Sequence, residues 1–260
     1  MISELKVAII QADLSWENPV ANRAYFTKEM EAISNKIDLI VLPEMFTTGF
    51  TMNATAIAES MDGISVSWMQ EMAKLKEAAI VGSLVISENN HFYNRLVFVH
   101  PSGKIDFYNK RHSFTLANEH QVYTSGNKQL IVNFKGFKIC TLICYDLRFP
   151  VWARNTKNYD ILLYVASWPK PRINAWTTLL KARAIENMSF TIGVNRVGED
   201  ANGYQYSGFS AMFDCLGNEV ANFKENEQGV QFAVFKKEYQ DTIRTKLNFL
   251  KDKDTFKILD

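Results

Sequence analysis

Hydrophobic and polar positions alternate in short bursts along this chain, and the period of the bursts keeps changing. Leu5 to Ile10 is a short β-rich run. Asn18-Pro19 then offers an N-cap with proline at the first helical position. Phe26, Met30 and Ile33 recur at the spacing of one helix face. Asp38 to Leu42 (DLIVL) is an apolar run of the kind found in strands covered on both faces. Trp68, Met72 and Leu75 mark a second helix. Ala79 to Ile86 and Phe92 to Val99 are strands, joined through the polar hairpin Glu88-Asn89-Asn90-His91. Ile105 to Tyr108, Lys138 to Ile143 and Asp160 to Ala166 are further strands. Trp176, Leu179, Leu180 and Ala184 mark a third, long helix. Phe190 to Val194, Ala211 to Phe213 and Gln231 to Phe235 complete the strands. Strands outnumber helices and the two kinds interleave, which predicts one α/β domain with mixed sheets over residues 1–235. From Lys236 the chain turns charged and loses clear periodicity, so residues 236–260 read as a C-terminal tail, packed on a neighbour or on the domain itself.

Composition narrows the possibilities. With 47% hydrophobic and 22% charged residues the chain is ordinary for a globular protein. Its 29 basic and 28 acidic side chains leave a net charge of +1, without the basic excess of a nucleic-acid binder. No apolar run approaches the roughly 20 residues of a membrane helix. The N-terminus lacks a basic segment followed by an apolar core, so it does not read as a signal peptide. Three cysteines are too few for a disulfide framework, and a reduced, cytoplasmic protein is the simplest expectation.

Three residues stand at the ends of strands, where α/β proteins place their ligands. Cys144 ends the apolar run before Tyr145-Asp146-Leu147-Arg148-Phe149-Pro150. Glu44 follows Asp38 to Pro43 in the same way, and Lys110 follows Ile105 to Tyr108. Each has a plain reading as well: a small buried thiol, a solvated glutamate, a surface lysine. Cys140 and Cys144 lie about 13 Å apart along an extended strand, which argues against a shared metal ion. A nucleophilic cysteine needs a base. His112 and His120 are candidates in one loop region, and a buried carboxylate with a raised pKa is another.

The segments Pro43-Glu44, Tyr108-Asn109-Lys110-Arg111-His112 and Ile143-Cys144-Tyr145-Asp146-Leu147-Arg148-Phe149-Pro150 resemble the motifs of the nitrilase, or carbon–nitrogen hydrolase, superfamily. The resemblance covers nearly the whole chain. It implies a four-layer αββα sandwich, usually paired into homodimers, and a small-molecule amide substrate with no metal or organic cofactor. It places the family's triad on Glu44, Lys110 and Cys144, and the family's second glutamate on Glu119. Glu44 would be the general base. Lys110 and the backbone N–H of Tyr145 would hold the oxyanion, and Glu119 would orient the amide or assist Glu44.

A finer likeness, to the bacterial omega-amidase branch, is carried by Ala117 to His120, Trp168-Pro169 with Arg172, Ala182 to Asn187, and Asn195 to Gly198. That branch removes ammonia from 2-oxo dicarboxylic monoamides such as 2-oxoglutaramate. The distal carboxylate of such a substrate calls for a guanidinium, with Arg172 and Arg148 as candidates and Trp168 and Phe114 as walls. Arg148 also reads as a lock on the loop after Cys144, and Arg183 with Glu186 as a surface ion pair. The chain departs from the branch at Ser167, where asparagine is frequent, and at Cys215, where proline is. Alternatives are a nitrilase, an N-carbamoyl amide hydrolase or a general aliphatic amidase of the same superfamily. Outside it stand a papain-like Cys–His protease and a catalytically dead binding scaffold.

Overall fold

Side chains of the first strand alternate between two buried layers, and this sets the architecture. In the computed structural model, which describes residues 3–258, β1 (Glu4–Gln11) points Val7 and Ile9 to one side and Ala8 and Ile10 to the other. Both sides are dry, so this sheet is covered twice. A slip of one residue would exchange the two sets. Residues 1–2 of the expected domain, and with them the start of the N-terminal segment, lie outside the described residues, as do residues 259–260 of the expected tail.

The chain continues through α1 (Pro19–Ala32), β2 (Leu39–Val41), α2 (Ala54–Ile57), α3 (Ile64–Lys76), β3 (Ala79–Glu88), β4 (His91–Val99) and β5 (Ile105–Asn109). The second half runs α4 (Glu119–Val122), β6 (Leu130–Phe134), β7 (Phe137–Ile143), α5 (Pro150–Ala153), β8 (Ile161–Val165), α6 (Ile173–Asn187) and β9 (Phe190–Val194). After these come β10 (Val197–Glu199), β11 (Gln205–Ser207), β12 (Ala211–Phe213), β13 (Glu219–Asn222), β14 (Gly229–Lys236) and α7 (Lys237–Leu247).

The strands form two six-stranded mixed sheets, in the orders β14-β1-β2-β3-β4-β5 and β13-β12-β9-β8-β7-β6, and a separate β10–β11 hairpin. Each large sheet has three parallel strands at its centre, β1-β2-β3 and β7-β8-β9. The sheets pack face to face through Val7, Val41 and Phe98 of one and residues such as Ile139 and Val165 of the other. Helices α1 and α3 cover the outer face of the first sheet through Phe26, Met30, Met69 and Met72. Helix α6 covers the second through Trp176, Leu180 and Ala184. Gly193 permits that contact: a Cβ there would meet Leu180 at 2.3 Å. The result is the four-layer αββα sandwich the resemblance implies.

Local chemistry explains several boundaries. Asn18 accepts a bond from Ala21 N at 3.1 Å and caps α1, with Pro19 as its first residue. Asn89 and Asn90 both have positive φ, 52° and 63°, as a two-residue hairpin turn demands. One helical position differs from expectation. Leu75 is 65% exposed, because α3 turns Met69, Met72 and Ala73 toward the sheet instead. The hydrophobic pattern does not mark strands β6, β10, β11 and β13. The segment after Lys236 begins with α7, which docks on the chain's own body. Its Gln240 is fully buried and donates to Asp160 O, and Arg244 reaches Asp160 Oδ1, Tyr159 O and Met188 O.

Candidate active site

The carboxyl ends of the central parallel strands of both sheets meet at one place. Just past β2, Leu42 N still bonds Val81 O at 2.7 Å, and Met45 N donates to Ser83 Oγ at 2.8 Å. Met45 adopts the left-handed region, φ 44°, so the chain turns sharply beside Glu44. Glu44 is wholly buried. Its Oε1 accepts Lys110 Nζ at 2.9 Å and Asn94 Nδ2 at 2.7 Å, while Oε2 accepts the Ser167 backbone N–H at 2.7 Å.

Lys110, 3% exposed, follows β5, and its backbone N–H is held by Asn94 O at 3.0 Å. The ammonium also reaches Glu119 Oε1 and Oε2 at 3.0 and 2.9 Å. Glu119 opens α4 and is fully buried. It accepts from Phe114 N at 2.5 Å and from Asn94 Nδ2 at 3.2 Å. Two carboxylates thus share one ammonium and one carboxamide in a dry site. Asn94 carried no signal in the sequence, since a lone polar residue in a strand reads as surface.

Cys144 follows β7 with φ 42°, a left-handed residue that has a side chain. Such a backbone costs about 1–2 kcal/mol, and the surrounding bonds hold it. Asp146, fully buried, accepts Ile143 N at 3.0 Å and Tyr108 Oη–H at 2.8 Å on one oxygen. Its other oxygen accepts His112 N at 3.0 Å and His112 Nδ1 at 2.7 Å. The His112 ring stacks on Phe149 at 3.7 Å. His112 is therefore committed to the turn, and His120 is exposed on a separate surface pocket. Among charged groups, Glu44 and Lys110 bear most strongly on Cys144. Arg183, expected on the surface, is buried. Its guanidinium donates to Leu147 O at 2.7 Å and to Glu186 Oε1 at 2.9 Å, tying α6 to the turn.

Electrostatics follow from this burial. The Cys144 thiol is pushed well above its ordinary value of 9.0 by burial and then by Glu44, against the pull of Lys110. Burial works against the Lys110 ammonium, but Glu119 and Glu44 outweigh it and hold the lysine charged. Glu119 is raised by burial and by Glu44, with Lys110 opposing.

Lys110 and Cys144 open onto a cavity of about 600 Å³ that also contains Phe114, Tyr145, Arg148, Ser167, Trp168 and Arg172. All of the expected substrate-side residues line this one space. Arg172 lies over the Phe114 ring at 5.1 Å, and Arg148 over Trp168 at 4.9 Å. Trp168 is fixed twice. Its N–H donates to Asn195 Oδ1 at 2.7 Å, and its Nε1 donates to Arg172 O at 2.8 Å. Trp16, Phe50 and Tyr206 complete walls the sequence did not announce. Among the described residues, no three His, Cys, Asp or Glu side chains are grouped to hold a metal ion.

A buried carboxylate–ammonium–carboxylate cluster thus lies beside a cysteine at the junction of the two mixed sheets. The carbon–nitrogen hydrolase family matches residues 6–244, and the chain belongs to it. Within the family the chain is similar to omega-amidase YafV of Escherichia coli (strain K12), 45% identical over 217 residues and 84% of each chain. It is 35% identical over 222 residues to the 2-oxoglutaramate amidase of Bacillus subtilis (strain 168), covering 83% of this chain and 85% of that one. A crystal structure of a CN-hydrolase superfamily protein from Xanthomonas campestris, with an arsenic adduct in its active site, superposes with a TM-score of 0.95. It is 38% identical, covering 98% of this chain and 99% of that one.

Proposed function

We propose that this protein is an omega-amidase, hydrolysing the terminal amide of 2-oxo dicarboxylic monoamides such as 2-oxoglutaramate to the acid and ammonia. The observation that carries the reading is the single cavity in which Cys144 and Lys110, backed by Glu44 and Glu119, face the guanidinium groups of Arg148 and Arg172. The cysteine cluster supplies amide chemistry, and the arginines suit a distal carboxylate. The similarity to omega-amidase and 2-oxoglutaramate amidase supports the substrate class.

In this mechanism Glu44 takes the Cys144 proton as the sulfur attacks the amide carbonyl. Charge grows on the carbonyl oxygen, where the Lys110 ammonium and the Tyr145 backbone N–H stabilise it. One such donor typically contributes about 2.7–4 kcal/mol to the transition state. Glu44 returns the proton to the nitrogen, the C–N bond breaks and ammonia leaves. Glu44 then activates a water that opens the thioester and restores the thiol. Glu119 orients the substrate amide and fixes Lys110. Such chemistry needs a reduced thiol, which fits a cytoplasmic setting, and the family resemblance supports a homodimer. Among the described residues no helix is long and apolar enough to cross a membrane.

The test is ammonia release from 2-oxoglutaramate by the parent and by Cys144→Ala. Release by the parent alone supports the reading. Release by neither moves the substrate to another amide, a carbamoyl compound or a nitrile, or leaves a binding scaffold. Equal release by both removes Cys144 from the mechanism.

A further inference from the structure

We propose that Asn94 is a positioning residue of this site: its one carboxamide group, donating to both carboxylates, lets Glu44 stay an acceptor while Glu119 sits beside it. The inference rests on the amidase reading for its first readout only.

The cluster holds two carboxyl groups and one ammonium, all out of water. Lys110 Nζ serves both carboxylates but leans toward Glu119, bonding its Oε1 and Oε2 at 3.0 and 2.9 Å against Glu44 Oε1 alone at 2.9 Å. Two carboxylates that share a buried site oppose each other's ionisation, and Glu119 is the one held raised here. A proton lodged on Glu44 would abolish its use as a base. The Ser167 N–H serves Glu44 alone and the Phe114 N–H serves Glu119 alone, so a donor that reaches both groups has a distinct part.

Asn94 is that donor. It stands on β4, 1% exposed, between the strand end that carries Glu44 and the loop that carries Glu119. Nδ2 donates to Glu44 Oε1 at 2.7 Å and to Glu119 Oε1 at 3.2 Å. The amide orientation is dictated, because a flip would set Oδ1 against two carboxylate oxygens. The unequal distances favour Glu44 as the better-solvated anion. The remaining atom, Oδ1, is buried without a hydrogen-bond partner, so the side chain forgoes one bond while serving the two acids. Asn94 O also accepts the Lys110 backbone N–H at 3.0 Å, so one residue of β4 fixes all three charged groups.

Asn94→Leu keeps the side-chain volume and removes both donors, whereas Asn94→Ser keeps one hydroxyl donor. Two readouts are taken across pH: kcat/KM for 2-oxoglutaramate, and the rate at which iodoacetamide alkylates Cys144, followed by intact mass with Cys144→Ala as blank. With both donors gone, the acidic limb of both profiles should move up by about one pH unit in Asn94→Leu and by less in Asn94→Ser. Below the limb the alkylation rate should then fall roughly tenfold, with little loss on the plateau above it. A purely structural residue would lower the amplitude and leave the limb in place, and that result overturns the proposal. Should Asn94→Leu fail to fold, Asn94→Ser decides by the same limb. If the parent releases no ammonia but the alkylation limb still moves, the substrate reading falls and Asn94 keeps its role. If the parent is active and neither limb moves, the substrate reading stands and the role of Asn94 falls.

Discussion

The backbone N–H of Ser167 donates to Glu44 Oε2 at 2.7 Å across 123 positions of sequence. Glu44 follows a strand of the first sheet and Ser167 follows one of the second. The carboxylate is aimed only when the two sheets have packed, so half of this sandwich would present no site.

Glu44→Gln keeps the shape of that side chain and removes its basicity. We expect kcat to fall by roughly 10²–10⁴, the usual worth of a positioned proton acceptor, with the circular dichroism spectrum unchanged. Turnover within tenfold of the parent would remove Glu44 from the role of base.

The raised thiol of Cys144 sets a sign for pH dependence. A thiol shifted above its ordinary value of 9.0 stays protonated through neutrality and ionises only beyond that value. The difference in absorbance near 240 nm between the parent and Cys144→Ala should therefore show no thiolate from about pH 6 to 9. A thiolate step near neutrality would contradict it and point to a preformed ion pair.

Arg172 offers a guanidinium to the same cavity as Cys144. Arg172→Ala should raise KM for 2-oxoglutaramate by about 10-fold or more, the worth of a charge-assisted hydrogen bond. Hydrolysis of an uncharged amide such as butyramide should change little. If KM for the keto acid amide holds and only Arg148→Ala raises it, the clamp belongs to Arg148.

The C-terminal helix makes a separate prediction about stability. Arg244 bonds Asp160 Oδ1 at 2.9 Å, Tyr159 O at 2.7 Å and Met188 O at 2.8 Å, and Asp160 is 6% exposed. Arg244→Ala should cost about 2 kcal/mol in urea unfolding and leave kcat near the parent's. An unchanged midpoint would mean that α7 is a passenger on the surface.

What could be read in the sequence had local causes. Glu44 and Cys144 each end an apolar run, so a change in polarity marks them before any contact is known. Asn18 and Pro19 announce α1 because capping is settled within one turn. The remainder depends on neighbours that only packing supplies. Arg183 and Glu186 have the spacing of a surface pair, yet the docking of α6 on the turn after Cys144 buries the arginine. Asn94 looks like the polar tooth of an alternating strand until β4 carries it to two carboxylates. Helix α7 docks through polar groups, Gln240 buried and Arg244 half-buried, and a hydrophobic pattern cannot register that.

The left-handed backbone at Cys144, φ 42°, sets durability against reactivity at one position. Glycine is the residue that suits such a conformation, but only cysteine brings sulfur there. On the proposed mechanism, a selection for heat tolerance alone would thus be drawn toward changes at this corner that silence the enzyme. Screens for hardier variants have to keep turnover in view at every round.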